Sequence, residues 1–115
     1  MEPAKVKFVC PCCGYPELEV PPYANMGLPP WEDHGSPPYY QRYGKASYDV
    51  CPCCAYEFGY DDEPMHPENA RSFAKYLADW TAGGCHWLGH RVAPEGWSLE
   101  EQLRAASIPY PKPNS

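Results

Sequence analysis

One phrase occurs twice in this chain, and it limits the available folds more than any other feature. It reads Val-Cys-Pro-Cys-Cys-Gly-Tyr at residues 9–15 and Val-Cys-Pro-Cys-Cys-Ala-Tyr at residues 50–56. Each copy holds a Cys-x-x-Cys turn in which proline follows the first cysteine, and two such turns are typical of a metal-binding zinc ribbon. Proline fixes φ at about −65° and so favours a turn that points both thiolates the same way. The pattern predicts four metal ligands, which are Cys10, Cys13, Cys51 and Cys54.

Two features of the repeat differ from a usual ribbon. The spacer between Cys13 and Cys51 has 37 residues, where about 15–20 is common. The second turn ends in Ala55 where the first has Gly14. We expect the second turn to be looser, because glycine reaches backbone conformations that a Cβ atom hinders. Neither feature removes the pairing of the two turns.

Length predicts the number of domains, and cysteine content predicts the cellular compartment. Its 115 residues predict one small domain, residues 1–115. No charged and then apolar leader follows Met1, and no apolar run approaches about 18 residues, so we expect neither export nor a membrane span. The seven cysteines then indicate metal ligands rather than disulfides, in a reducing cytoplasm.

Charge and composition narrow the class of partner. The formal net charge is −6, and four thiolates on one Zn²⁺ would bring it to about −8. Because such a field repels phosphate, we expect no nucleic-acid binding. Sixteen prolines, ten tyrosines and four tryptophans indicate a loop-rich chain with a thin aromatic core. A metal ion is a sensible source of stability for a chain of this size.

The predicted fold is a small α+β zinc ribbon made of two knuckle-tipped β-hairpins. Lys5–Val9 alternates polar and apolar residues and should pair as a strand with Leu18–Val20. Residues 47–50 and 56–60 should form the second hairpin. The ribbon would cover residues 4–60 with an insertion at 21–46, followed by two short helices within 66–106 and a tail at 107–115.

The Pro- and Tyr-rich insertion has two interpretations. Residues before proline avoid the helical region, so we expect an extended segment with many turns. It either packs its aromatic side chains over the ribbon as a cover or presents them to another protein. We favour the cover, because a loop of this length must bury something to stay ordered. The candidate partner surface consists of Trp31, Tyr39, Tyr40, Arg42 and Tyr43.

The C-terminal half predicts the two helices. Asp61-Asp62-Glu63 should complement the positive end of the first helix, with His66 as cap and Pro67 at the first helical position. A Ca²⁺ or Mg²⁺ site in this trio is disfavoured, since no loop of alternating oxygen ligands accompanies it. One apolar face and a stop at Gly83-Gly84 follow; the face consists of Phe73, Tyr76, Leu77 and Trp80. Ser98 opens a capping box for the second helix.

Other cysteines and histidines leave further chemistry open. Cys85, His86 and His90 offer sulfur and imidazole donors, but we expect Trp87 and Leu88 between them to pack and the histidines to be solvated. The inner cysteines of the two turns, Cys12 and Cys53, are candidate secondary thiols. We expect both to be exposed, to react with alkylating reagents and to be dispensable for folding.

The motifs resemble those of a bacterial family of small cysteine-rich proteins named for its Cys-Pro-Cys-Cys motif. The resemblance rests on residues 8–15 and 48–54 and on the aromatic and acidic residues that follow, which together cover roughly half of the chain. The insertion and the region after Trp80 depart from the family pattern. The resemblance implies zinc binding, and an immunity role is implied only by analogy with small acidic proteins encoded beside toxins.

We therefore interpret the chain as a structural zinc-binding protein, with one Zn²⁺ per chain, that acts as a protein-interaction module. It lacks a Gly-rich phosphate loop, a His-Glu-x-x-His run and a Gly-x-Ser-x-Gly elbow, so we do not expect an enzyme. The alternative is a thiol or metal redox protein. Rubredoxin shares the Cys-Pro-x-Cys-Gly turn and binds iron, although the long spacer favours zinc. The sequence leaves the oligomeric state open.

Overall fold

The structure is a computed structural model, and it describes residues 7–32, 34–35, 37–62, 70–89 and 91–111. Three α-helices occur within these ranges: α1 (Tyr40–Tyr43), α2 (Phe73–Ala82) and α3 (Leu99–Ala105). Backbone pairing in the described residues is limited to isolated bridges, and no extended strand forms. The protein is therefore a small fold of helices and loops around the repeated cysteine turns. No helix of the described part is both long and apolar enough to cross a membrane.

The two cysteine turns fold alike, as the repeat predicts. In the first, Gly14 N–H donates to the Cys10 carbonyl at 2.8 Å and Cys10 N–H donates to the Tyr15 carbonyl at 2.9 Å. The second repeats both bonds: Ala55 N–H donates to Cys51 O at 2.9 Å, and Cys51 N–H to Tyr56 O at 3.0 Å. The repeat in sequence is thus a repeat in backbone geometry, and we call each turn a knuckle.

The prediction of two β-hairpins behind the knuckles is wrong, because the described residues form a single bridge in each place. One bridge, Phe8 with Leu18, closes the first arm, and one bridge, Val50 with Glu57, closes the second. Pro16 has no N–H to donate and interrupts the first arm. The second arm turns immediately, since Tyr60 N–H and Asp61 N–H both donate to the Glu57 carbonyl. The first two residues of the predicted strand, at 5–6, lie outside the described residues.

The insertion forms a closed cover over the knuckles. Its ends meet at a bridge between Tyr23 and Ala46, and Ser47 N–H donates to the Pro22 carbonyl at 2.9 Å. Tyr23 and Tyr39 are buried, and the Tyr39 ring stacks on Phe73 with 3.9 Å between ring centroids. The cover interpretation is confirmed for these side chains. The segment also contains α1, a single helical turn where the prolines predicted only extended chain.

Helices α2 and α3 complete the core. Helix α2 begins later than predicted, because residues 70–72 are not helical and Ser72 is its cap, accepting a hydrogen bond from Lys75 N–H at 3.1 Å. His66 and Pro67 lie outside the described residues. The apolar face is confirmed, with Phe73 and Leu77 buried. The predicted cap of α3 is also confirmed, since Ser98 Oγ accepts a hydrogen bond from Glu101 N–H at 3.3 Å.

The two described aspartates of the acidic cluster, which were predicted to complement the start of α2, accept hydrogen bonds from backbone N–H groups elsewhere. Asp62 is completely buried, and its two carboxylate oxygens accept hydrogen bonds from Tyr39 N–H at 2.9 Å and Gly59 N–H at 2.7 Å. Asp61 accepts one from Glu57 N–H at 2.8 Å. Both carboxylates accept hydrogen bonds from backbone N–H groups outside α2, and the cap of α2 is Ser72, so neither aspartate caps this helix. Glu63 lies outside the described residues.

A first testable prediction concerns the left-handed residue that ends each knuckle. Gly14 has φ of 83° and Ala55 has φ of 69°, a region that costs an L-residue roughly 1–2 kcal/mol. Ala55→Gly relieves this cost but adds freedom to the unfolded chain. We expect a net gain of about 0.5–1 kcal/mol in the free energy of unfolding of the metal-loaded protein, measured by thermal denaturation.

The reverse substitution is the matched control. A Cβ atom on Gly14 would lie 2.9 Å from the Gln102 carbonyl oxygen in addition to its unfavourable φ. Gly14→Ala should therefore destabilise the protein by about 2 kcal/mol or more, because backbone of α3 would have to move. A lower melting temperature for Ala55→Gly would contradict the left-handed conformation of the second knuckle.

Candidate metal centre

The structure brings the four outer cysteines of the repeat together. The Sγ atoms of Cys10, Cys13, Cys51 and Cys54 all lie within 4.8 Å of one another. Across the two knuckles, Cys10 Sγ is 3.9 Å from Cys54 Sγ and Cys13 Sγ is 3.7 Å from Cys51 Sγ. Each knuckle contributes its first and last cysteine, so the cluster needs both copies of the repeat.

These distances match the requirements of a tetrahedral metal ion. With a metal–sulfur distance of about 2.3 Å, the sulfurs of a Zn(Cys)₄ tetrahedron lie about 3.8 Å apart. Two of the four sulfur–sulfur distances between the knuckles, 3.9 Å and 3.7 Å, lie within about 0.1 Å of that value, and every pair is within 4.8 Å. The donor set therefore fits a tetrathiolate metal ion, and four cysteine thiolates can hold iron as well as zinc.

The pKa values of the four clustered thiols indicate that a cation would be needed to keep them all as thiolates. Burial raises the pKa of Cys10 to about 11 and the pKa values of Cys13 and Cys54 well above their usual range. Burial also acts on Cys51, but hydrogen bonds from the other three thiols outweigh it and hold its pKa well below its usual range. Burial of this kind disfavours the charged thiolate form when no cation is present. A bound divalent cation would favour the thiolate form of all four.

The cluster is closed to solvent. All four cysteines are between 0% and 1% exposed. Four protein donors complete a tetrahedron and leave no open position for a water molecule or a substrate, which is the arrangement of structural rather than catalytic zinc. The geometry is that of a site that holds two parts of the chain together.

The inner cysteines of the knuckles are not exposed, which corrects the prediction. Cys12 is 1% exposed and its thiol donates to the Phe73 carbonyl, with 3.5 Å between S and O. Cys53 is fully buried and accepts a hydrogen bond from Gln102 Nε2 at 3.7 Å. Helices α2 and α3 cover the faces of the knuckles that would otherwise meet solvent. The exposure that a thiol-exchange role requires is absent at these two residues.

Alkylation of the native protein tests this arrangement. Cys85 is half-buried, so we expect iodoacetamide to modify it first in the folded, metal-loaded protein. Cys12 and Cys53 should react at a comparable rate only after denaturation. Burial raises the pKa of Cys85, which slows its reaction but leaves it accessible. Peptide mass mapping gives the order, and fast modification of Cys12 in folded protein would contradict the burial.

Side chains that surround the cluster were not identified from sequence. Gln102 Nε2 donates to the Cys13 carbonyl at 2.9 Å, while Gln102 Oε1 accepts a hydrogen bond from Trp97 Nε1 at 2.8 Å. Tyr76 Oη donates to the Cys54 carbonyl at 3.0 Å. Each helix thus fixes one knuckle through a side-chain bond to its backbone. Tyr76 was predicted on the apolar face of α2, but nothing in the local sequence indicates the role of Gln102.

The residues predicted as a partner surface divide into two groups. Tyr39 is 1% exposed and belongs to the core, so it is removed from that surface. Tyr40 and Arg42 are exposed on α1, while Trp31 and Tyr43 are half-buried. The Arg42 guanidinium lies over the Tyr43 ring, 5.6 Å from its centroid. Four of the five predicted residues therefore keep some accessible surface.

The Cys-His segment after α2 forms no second cluster in the part of the chain that the structure describes. Trp87 packs edge-on against Tyr15 and Trp97, as predicted. His86 is exposed. Leu88 is 37% exposed, so its predicted packing is wrong. His90 lies outside the described residues.

Comparison of this chain with protein families, with curated proteins and with solved structures finds no match. The resemblance to the Cys-Pro-Cys-Cys family stays a prediction from the motifs.

Proposed function

We propose that this protein is a zinc-binding interaction module in which one Zn²⁺ per chain, held by Cys10, Cys13, Cys51 and Cys54, stabilises a surface for another protein. The observation that carries the proposal is the buried four-sulfur cluster with the spacing of a tetrahedral metal site. A closed site of this kind supplies stability rather than a reactive position. The proposal includes no catalysis.

Zinc is proposed over iron on the basis of the sequence. Iron would turn the same four sulfurs into a rubredoxin-like electron carrier. The motif resemblance and the long spacer favour zinc. Elemental analysis of protein purified from its native host distinguishes the two: we expect one zinc per chain and a colourless solution, whereas a red protein with one iron would replace the interaction proposal by the electron carrier.

The interaction part of the proposal rests on α1 and its neighbours. We define the α1 surface as Trp31, Tyr40, Arg42 and Tyr43. Tyrosine, tryptophan and arginine are the residue types that dominate binding energy at interfaces. The insertion that carries them is closed at both ends and packed through Tyr23 and Tyr39. It is therefore ordered before binding, which lowers the entropic cost of association.

Affinity capture in the native host tests the α1 surface. Tyr40→Ala with Arg42→Ala should reduce capture of the partner, with about 1–3 kcal/mol lost per key residue. Tyr60→Ala is the matched control, because Tyr60 is 63% exposed and lies outside the insertion. All variants should keep their zinc content and melting temperature. Equal capture by the double variant and the wild type would place the surface elsewhere.

Location in a bacterial cytoplasm and absence of nucleic-acid binding belong to the same proposal. The cytoplasmic location rests on the seven cysteines, the bacterial source on the motif resemblance, and the absence of nucleic-acid binding on the net charge of −6, which disfavours approach to phosphate. An immunity role rests only on the analogy with small acidic proteins. Salt-sensitive binding of DNA or RNA in a gel-shift assay would contradict the proposal.

A further inference from the structure

An apolar cavity lies beside the first knuckle, and none of the four cysteines of the metal cluster lines it. Its volume is about 550 Å³, and four parts of the chain line it: the first knuckle, the insertion, α2 and the C-terminal segment 107–111. Small-molecule sites commonly measure about 300–1,000 Å³ and are lined mainly by apolar and aromatic side chains. Phe73, Leu77, Trp31 and Ile108 contribute such surfaces here. The cavity therefore has the size and lining of a ligand site.

The aromatic side chains that line the cavity are held in place by contacts with other residues of the protein. Trp31 Nε1 donates to the Gly27 carbonyl at 2.9 Å, so the indole N–H is used within the insertion. Phe73 is stacked on Tyr39, and His34 Nδ1 lies 2.7 Å from Tyr43 Oη. A ligand would meet rings that are already fixed, which lowers the ordering cost of binding.

The formal charge of the lining is negative when its one histidine is neutral. The described lining residues include one acidic residue, Glu32, one histidine, His34, and no lysine or arginine. The chain as a whole carries −6. This arrangement repels an anion and attracts a cation, and an indole wall such as Trp31 adds cation–π attraction.

From this lining, we propose that the cavity binds a small organic cation, an aromatic ring that carries one amine. The ring would lie against Trp31, Phe73 and Leu77, and the ammonium group would face Glu32. The site goes beyond the proposed interaction function. It shares Trp31 with the α1 surface, but Tyr40 and Arg42, the residues varied in the capture experiment, do not line the cavity, so the two tests can fail separately.

Three indole compounds with different charges test the proposal: tryptamine, tryptophol and indoleacetate. We expect ¹H–¹⁵N shifts of the zinc-loaded, full-length protein to report binding of tryptamine about threefold to fivefold tighter than tryptophol, as one partly exposed charge pair gives. Indoleacetate should bind more weakly than either. Glu32→Gln should abolish the difference between tryptamine and tryptophol.

Two substitutions on α2 test whether tryptamine binds in the cavity. Ala74 is exposed on α2 and lines the cavity, so Ala74→Leu fills the space with a good helix former. Ala82→Leu, on the same helix and outside the lining, is the control. We expect Ala74→Leu to weaken tryptamine binding at least fivefold at an unchanged melting temperature, and Ala82→Leu to leave it unaltered. Equal affinity for all three compounds, or binding insensitive to Ala74→Leu, would overturn the proposal.

Discussion

Replacing Cys51 by serine should leave the protein unfolded and metal-free under conditions in which the wild type is folded. Binding of structural zinc contributes an apparent 10–16 kcal/mol, roughly, in small zinc-finger peptides. A small domain has only about 5–15 kcal/mol of net stability. Cys51 is one of four sulfurs in the cluster and joins the second knuckle to Cys13 of the first. Loss of the metal would therefore remove a free energy comparable to or larger than the net stability of a small domain.

Circular dichroism and elemental analysis of the purified variant would measure this result. Cys85→Ser is the matched control, since Cys85 lies outside the four-sulfur cluster. It should keep one metal per chain and the wild-type melting temperature. A folded Cys51→Ser variant with a full equivalent of metal would contradict the assignment of this ligand.

The second large effect is expected at Asp62. Its carboxylate joins the insertion, through Tyr39 N–H, to the second knuckle arm, through Gly59 N–H. Asp62→Ala would leave two buried N–H groups without an acceptor, each at about 1–3 kcal/mol. We expect a loss of about 2–6 kcal/mol in the free energy of unfolding, measured by denaturant titration at saturating zinc.

Asparagine substitutions sharpen this test. In Asp62→Asn one of the two oxygens becomes an NH₂ group that faces an N–H donor, so the variant should lose about 1–3 kcal/mol. In Asp61→Asn the single acceptor bond to Glu57 N–H can be kept by the amide oxygen, and the loss should stay below about 1 kcal/mol. Equal stability of the two asparagine variants would show that Asp62 does not join the two segments.

The sequence predicted the local parts of this structure well, because their causes are local. Proline and cysteine spacing determines each knuckle, and the second copy repeats the hydrogen bonds of the first. Ser98 caps α3 and glycine ends α2, both through contacts within a few residues. The spacing also predicted which four sulfurs converge.

Long-range packing could not be predicted in the same way. Tyr39 was placed on a partner surface, but its ring stacks on Phe73, 34 residues away in sequence, and its hydroxyl accepts a hydrogen bond from Phe73 N–H. Cys12 and Cys53 were expected at the surface because a knuckle alone leaves them there. Helices α2 and α3 bury them, through Phe73 and Gln102. Such contacts depend on how distant segments meet.

The role of the acidic cluster could not be predicted from sequence for the same reason. An aspartate before a helix has a familiar role at the helix N-terminus, and that role needs no knowledge of the fold. Asp62 instead accepts hydrogen bonds from the backbone N–H groups of Tyr39 and Gly59. A buried carboxylate is recognised only when the donors around it are known.

Reversible removal of the metal tests the central claim, that the four-cysteine site holds this fold together. The protein is reduced, stripped of metal by a chelator, and compared by ¹H–¹⁵N NMR before and after one equivalent of Zn²⁺ is added. We expect the dispersed spectrum of the native protein to collapse to that of an unfolded chain and to return completely at one equivalent. A metal-free, reduced protein that keeps its native spectrum would contradict the account.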